Sequence, residues 1–479
     1  MSHQPETTAK FVTGSTMKHI VVMTATASVG LIAIFAVDML NLFYISMLGI
    51  QELAAAIGFA STLMFFTLSI AIGLTIPTAA LVGRALGRGD RQGAAEMGGA
   101  AMAFMAIVSV VTTIAVWPFL RPLLGLLGAR GETLELAVRF LNIVIPSTPI
   151  MALGMAATGI LRGLGDARRS MYVTLFSALA TAILDPILIF GLHLGLDGAA
   201  ISTVLSRIVM LVIGWHGAQV VHKLLAFPTR ERMKASVRPF FSIGIPGVLT
   251  QLATPVGNAY TMAVLARFGD DAVAGMSVIG RLVPMAFVAL FALSGAIGPI
   301  LAQNLGARRF DRLREALRDA LIFAVVSSLI MWGVLALFAH PVANLFGATG
   351  DAKLLIVFFC HFAAARFLFE GAIFVVSASF NNLGYPGYST ILNWARSTLG
   401  VIPFVTLGAN WYGAEGALAG AAAGVVVFSI IAVVWCNFVI GKVIARGQAI
   451  DPNSAEAIPL TPPPSAQSPF SSGKAATVQ

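Results

Sequence analysis

The sequence predicts an all-α integral membrane protein, with twelve transmembrane helices in two six-helix lobes related by a parallel pseudo-two-fold repeat. Three observations carry this. Of 479 residues, 58% are hydrophobic and only 11% charged, with a mean hydropathy of +0.88, which leaves too little polar surface to clothe a soluble core. Apolar stretches of about 20 residues or more, enough to cross hydrocarbon as helix, fall at 20–47, 54–80, 94–118, 134–159, 171–192, 198–221, 240–266, 273–301, 317–345, 354–380, 388–408 and 416–441. The third observation is a repeat. Val82-Gly83-Arg84-Ala85-Leu86-Gly87 returns as Leu301-Ala302-Gln303-Asn304-Leu305-Gly306, and Leu164-Gly165 with Ser170 returns as Leu383-Gly384 with Ser389, both at an offset of 219. A β-barrel is excluded because runs such as Ala417 to Trp435 are continuously apolar, whereas barrel strands alternate.

The chain divides as follows. Residues 1–18 form an N-terminal tail without the layout of a cleaved signal peptide, so helix 1 is expected to act as its own targeting signal. Residues 19–222 form the first lobe, 223–239 a polar linker and 240–445 the second lobe; 446–479 is a Pro-, Ser- and Ala-rich tail expected to be disordered. Six crossings per copy is an even number, so the second copy enters from the same side as the first and the repeats are parallel, the usual build of a secondary transporter.

Charge sets the orientation. With both termini inside, twenty Lys and Arg residues lie in inner segments, against Arg121, Arg130, Arg267 and Lys353 outside and Arg139 at the start of helix 4. The expected location is therefore a bacterial inner membrane with cytoplasmic termini. The net charge of +9 follows from the same bias. Because these residues are scattered over short loops instead of forming one stripe, nucleic-acid binding is not expected. Cys360 and Cys436 fall singly inside apolar helices, which supports neither a disulfide nor a zinc site.

Function is sought among ionisable groups placed where they are expensive, since an acid at the bilayer centre costs about 2.5–3.5 kcal/mol or more on insertion scales. Asp38 in helix 1, Asp185 in helix 5 and Glu370 in helix 10 qualify. Asn41 lies three residues after Asp38, and Thr181 four before Asp185, so each shares a helix face with its carboxylate; Thr203 reaches a similar depth in helix 6. Pro186 removes a backbone donor and frees a carbonyl one turn back. Hard oxygen ligands of this kind suit a small cation, and a desolvated carboxylate equally suits a proton. The alternative is that Asp38 and Asp185 only cap kinks or bond within the lobe. Glu370 has Arg366 one turn before it, so a neutralising structural pair stands beside a functional acid. Arg207, Arg281 and Arg396 also fall in helices and either snorkel, pair or line a cleft; His193 and His361 read as packing residues.

The run Val37-Asp38-Met39-Leu40-Asn41 ending in Leu48-Gly49, the loop Gly83 to Asp90, the segment Gly159 to Asp166, and Leu184-Asp185-Pro186 to Gly191 with Gly198-Ala199-Ala200 together resemble the multidrug and toxic compound extrusion (MATE) transporters, over about residues 15–445. The resemblance implies a secondary active antiporter that exports amphipathic, cationic drugs or metabolites in exchange for protons or sodium ions. It assigns Asp38, Asn41, Thr181, Asp185 and Thr203 to ion coupling, with sodium held at Asp38, Thr181, Asp185 and Thr203, and makes Asp38, Asp185 and Glu370 the candidates for binding substrate. Thr181 stands where many members carry asparagine, and Thr254 where the NorM-type branch carries a glutamate, an arrangement that looks DinF-like with coupling in the first lobe. The expected partners are small molecules and membrane lipids; the expected state is a monomer without a cofactor, and nothing resembles a catalytic constellation. A lipid-linked precursor flippase, which tends to have fourteen helices, and a passive facilitator are the rival readings.

Overall fold

The computed structural model describes residues 9–47 and 51–449. Residues 1–8 of the N-terminal tail, the Leu48-Gly49 end of the first motif and the tail from residue 450 lie outside them. Seventeen α-helices run in order among the described residues, with no strand: α1 (Thr16–Met47), α2 (Gln51–Gly87), α3 (Arg91–Val116), α4 (Leu120–Leu126), α5 (Gly131–Val144), α6 (Thr148–Leu164), α7 (Ala167–Pro186), α8 (Gly195–Trp215), α9 (Arg230–Leu265), α10 (Asp270–Ala286), α11 (Val288–Gly306), α12 (Phe310–Leu337), α13 (Ala339–Leu345), α14 (Gly350–His361), α15 (Phe367–Leu383), α16 (Pro386–Thr398) and α17 (Ile402–Ala449). Among the described residues, eleven apolar spans are long enough to cross a membrane. One of them, Pro386–Gly447, is 62 residues long and contains two crossings, giving twelve. The turn between them falls at Tyr412 and Gly413, where the backbone leaves helical geometry.

The repeat is visible in the backbone. α4 and α13 share an offset of 219, as do the starts of α3 and α12 and of α5 and α14. The fourth helix of each lobe breaks at the same place, into 3₁₀ turns at Ile145–Ser147 and Ala363–Arg366. Positive φ angles recur in register: Gly165 (90°) with Gly384 (93°), each closing a helix in the left-handed conformation, and Gly89 (78°) with Arg308 (55°).

Several crossings are longer and less regular than their apolar cores. The eighth is interrupted at Phe287, the eleventh between Thr398 and Ile402, and the fifth continues past Pro186 as a π-helical turn over Ile187–Gly191. α9 begins at Arg230, inside the stretch read as linker, and carries Pro239, Pro246 and Pro255. Outward faces remain apolar, with Ile330, Val434 and Val212 more than half exposed, as a lipid-facing surface requires.

The first helix of each lobe crosses to the other lobe near the end of the bundle that carries the N-terminus. Ile20 and Met23 of α1, with Phe11 ahead of it, are buried in the core of the second lobe, while Phe240 and Ile243 of α9 are buried in the core of the first. Hydrogen bonds close the same end. The Phe11 N–H donates to Gln303 Oε1 (3.0 Å), and Gln303 Nε2 donates to the Gly163 carbonyl (2.8 Å). Arg84 Nη2 donates to the Asn382 carbonyl (2.6 Å), Lys10 Nζ to the Gly165 carbonyl (2.9 Å), and the Thr16 hydroxyl to Asp319. At the opposite end Arg121 pairs with Glu135 and Arg139 with Asp197, each pair within the first lobe.

Candidate ion and cargo site

The first-lobe site is built where α1 and α7 run parallel in contact. They touch at Gly30, where a Cβ would stand 2.1 Å from Thr174 Oγ1, so a larger residue would have to displace that hydroxyl. From that crossing, Asn41 lies eleven residues along α1 and Asp185 eleven along α7. At about 1.5 Å and 100° per residue both return to the shared seam, about 16 Å further on. Helical rise thus puts the two residues at about the same height on α1 and α7. Asp38, three residues earlier, is turned about 80° from the seam by the same geometry and is exposed.

Asp185 is fully buried, and neither carboxylate oxygen has a hydrogen-bond partner among the described residues. The same holds for Asn41 Oδ1 and for the Ser202 hydroxyl, which approaches the Asp185 carboxylate from α8 without closing a bond of normal geometry. Buried polar atoms are normally satisfied, so a fully buried carboxylate whose neighbouring donor, the Ser202 hydroxyl, does not close a bond of normal geometry is a candidate seat for a cation or a proton. Thr181 and Thr203 border this set. Their hydroxyl protons are committed to the carbonyls of Ser177 (3.2 Å) and Ala199 (3.0 Å), which leaves their oxygen lone pairs free to accept. In the sequence, the only signal for Ser202 is its adjacency to Thr203.

Arg207 does not reach this set. It is buried on α8, and its Nη1 donates to the Val144 carbonyl (2.9 Å) and the Ser147 hydroxyl (2.8 Å). Those acceptors flank the break at Ile145–Ser147, so the guanidinium satisfies a carbonyl that the interrupted helix leaves open.

In the second lobe Glu370 is buried between two arginines. Arg396 Nη1 approaches Oε1 at 3.1 Å, and Arg366 Nε lies 3.7 Å from Oε2. The partner one turn away was legible in the sequence; the closer partner, on α16, was not. Arg396 also donates through Nη2 to Thr254 Oγ1 on α9 (3.0 Å). Glu370 is thus neutralised, with one carboxylate against two guanidiniums. Arg281 on α10 is exposed and has no ion-pair or hydrogen-bond partner among the described residues. His361 is held by packing, its carbonyl accepting from Trp332 Nε1 (3.0 Å), and His193 occupies the turn before α8 with φ 53°. Cys360 and Cys436 are buried free thiols.

Two six-helix repeats crossing a membrane, with an unsatisfied acid inside one of them, define a multi-pass secondary transporter. Residues 27–187 and 246–407 match the MatE family, and the two matches begin 219 residues apart, the period of the repeat. The chain belongs to the MatE family. It is 30% identical to a FAD transporter of Shewanella oneidensis over 81% of this chain and 87% of that one. It is 25% identical to the multidrug export protein MepA of Staphylococcus haemolyticus over 79% and 84% respectively. In fold it is similar to a MOP superfamily transporter from Pyrococcus furiosus, with a TM-score of 0.86 at 23% identity over 92% of this chain and 99% of that one.

Proposed function

We propose that this chain exports amphipathic, cationic drugs or metabolites in exchange for a proton or sodium ion bound in the first lobe. The observation that carries the reading is the fully buried Asp185 carboxylate, unsatisfied on both oxygens, with the Ser202 hydroxyl beside it. Asp38 lies nine residues before the end of α1 and borders the set on its exposed side. Because a carboxylate against lipid is expensive, it is assigned to the cleft wall, where ion and cargo compete for it. Asp38, Asn41, Thr181, Asp185 and Thr203 keep their coupling role, with Ser202 added. Glu370 is withdrawn from the cargo-binding candidates, since Arg396 and Arg366 already occupy its charge. Coupling then belongs to the first lobe alone, as in a DinF-like arrangement. Relatives named as a FAD transporter and as multidrug export proteins support an exporter of small molecules. Twelve crossings count against a flippase of fourteen. The basic residues gather at the end carrying the N-terminus, which we assign to the cytoplasm of a bacterial inner-membrane protein.

The test is dye efflux from proteoliposomes of purified protein, with sodium and pH gradients imposed separately. Uphill efflux driven by one gradient, lost in Asp185→Asn and Asp38→Asn proteins that still purify as the wild type does, is expected. Gradient-driven transport at wild-type rates in Asp185→Asn would overturn the assignment.

A further inference from the structure

Several basic side chains at the end carrying the N-terminus are engaged. Lys10, Arg84, Arg91 and Arg312 donate to backbone carbonyls, Arg169 binds Asp166, and Arg232 binds Glu96. Arg230, Lys234 and Arg238 on α9 differ: their side chains are exposed and have no ion-pair or hydrogen-bond partner among the described residues.

These three share one face. At about 100° per residue, Lys234 and Arg238 stand about 40° and 80° round the helix from Arg230, and Ile245 and Leu249 fall at about 60° and 100°. Ile245 is 57% exposed and Leu249 43%. Phe240 and Ile243, buried in the first-lobe core, fall on the opposite side, at about 280° and 220°. The bases therefore extend, toward the start of α9, the strip that this helix turns away from the bundle. Because the lobes are hydrogen-bonded together at this end, that strip meets lipid.

Their depth follows from the neighbouring helix. α3 and α9 run side by side with one register, since Arg232 binds Glu96 and the Phe240 ring lies 5.1 Å from that of Phe104. On that register Arg238 is level with Met102, about 8 Å short of Ile107, an apolar residue of α3 that is 60% exposed. The inter-lobe linker brings an aromatic ring to the same level. The Ala226 N–H donates to the Ala95 carbonyl (3.1 Å), and the Ala226 carbonyl packs on Gly99, where a Cβ would stand 1.9 Å from its oxygen. Gly99 is level with Ala235, so the next residue, Phe227, lies at a depth between Lys234 and Arg238. Phe227 is 100% exposed. An aromatic ring and unengaged bases where an apolar strip begins are what a bilayer interface stabilises, the ring among upper acyl segments and the long basic side chains reaching the headgroups. Glu231 is the one acid in residues 230–238, and with Arg232 held by Glu96 it leaves the three bases in excess.

We propose that Arg230, Lys234 and Arg238, with Phe227, form a docking site for an anionic phospholipid of the leaflet at this end, its phosphate held by the bases and an acyl chain lying along Ile245 and Leu249. The surface is separate from the first-lobe ion site, and the proposal holds whichever ion drives exchange.

The test uses the purified full chain in bilayers of phosphatidylcholine and phosphatidylglycerol, with a bimane label on Ala235→Cys and one lipid at a time carrying brominated acyl chains. Quenching by each lipid gives their relative association at this surface. Phosphatidylglycerol is expected to be preferred about fivefold at low salt and less in concentrated salt. Replacing Arg230, Lys234 and Arg238 together by Gln should bring the preference close to one. Replacing Arg314, Lys442 and Arg446, three exposed bases at the same end, by Gln removes equal charge and should leave it unchanged. A bimane on Phe227→Cys should be quenched by bromolipid and shielded from aqueous iodide. Equal association of the two lipids, a preference that survives the Arg230, Lys234 and Arg238 replacements, an equal loss in the control, or a residue 227 label open to iodide and untouched by bromolipid overturns the proposal.

Discussion

Gly87 and Gly306 each rest on the other repeat's backbone: a Cβ on Gly87 would stand 2.1 Å from the Gln303 carbonyl oxygen, and one on Gly306 would stand 2.2 Å from that of Arg84. The two contacts are related by the 219-residue offset, so the pseudo-two-fold axis passes between them. Because the obstructing atoms are backbone, no rotamer change relieves the clash. Gly87→Ala and Gly306→Ala should each cost this closed arrangement about 2 kcal/mol or more and shift the population toward one open at that end. Spin-label distances between positions 88 and 309 should lengthen; unchanged distances in both variants would show the lobes yielding elsewhere.

Ser202 should matter more than Thr203. Its oxygen faces Asp185 without a partner, whereas the Thr203 hydroxyl is held by Ala199. Ser202→Ala is expected to weaken the apparent affinity for the driving ion roughly tenfold, the scale of one lost ligand or hydrogen bond to a charged group. Thr203→Ala should have a smaller effect. The ion concentration giving half-maximal efflux measures both, and a reversed order would move the site toward Thr203.

Glu370 sits between the guanidiniums of Arg396 and Arg366. Its replacement by alanine strands two arginines in the lobe interior and should destabilise the protein by about 3 kcal/mol. Arg366→Ala, which leaves the closer Arg396 pair intact, should cost less. Thermal unfolding in detergent orders the two; equal melting temperatures would mean that Glu370 is not held by these charges.

Arg308 adopts φ 55° where the first repeat has Gly89 at 78°. Non-glycine residues are strained there, so Arg308→Gly should raise stability by about 1 kcal/mol. A lowered melting temperature would indicate that the arginine side chain contributes more than the strain removes.

Asp166 caps α7 by accepting from the Arg169 N–H (3.1 Å), and it also binds the Arg169 guanidinium (2.6 Å) and His222 (2.7 Å). Burial would raise its carboxyl, but these bonds outweigh it and hold the group well below the usual carboxylate range. A depressed folded-state value means that the stabilisation is complete above the unfolded value near 3.9 and is lost as pH falls through the lower one. Asp166→Asn should therefore cost about 1 kcal/mol at neutral pH, and the difference from wild type should shrink only in strong acid. A gap that stays unchanged through strong acid would show that the charge of this carboxylate does not contribute.

The crossings were legible because hydropathy acts locally and because the repeat states each turn twice. The breaks were harder to see: Pro146 marks one of the matched pair, but the second, at Ala363–Arg366, has no proline. Asp38, Asn41 and Asp185 could be found from helical spacing, since a helix carries its neighbours with it. Ser202 and Arg396 could not, because their partners lie across helices. Nor does apolar sequence distinguish a face that meets lipid from one that meets the other lobe, so the exchange of Ile20, Met23, Phe240 and Ile243 between cores was hidden.

That exchange bears on biogenesis. Phe11 leaves the ribosome near the start of synthesis, yet Gln303 and Asn304, which bond its backbone, are 292 and 293 residues further on. At about 5–20 residues per second they follow roughly 15 to 60 s later. Until then the leading helix has its inner half unpartnered in the bilayer, and a chain cut in the inter-lobe linker would give a first half that cannot complete itself.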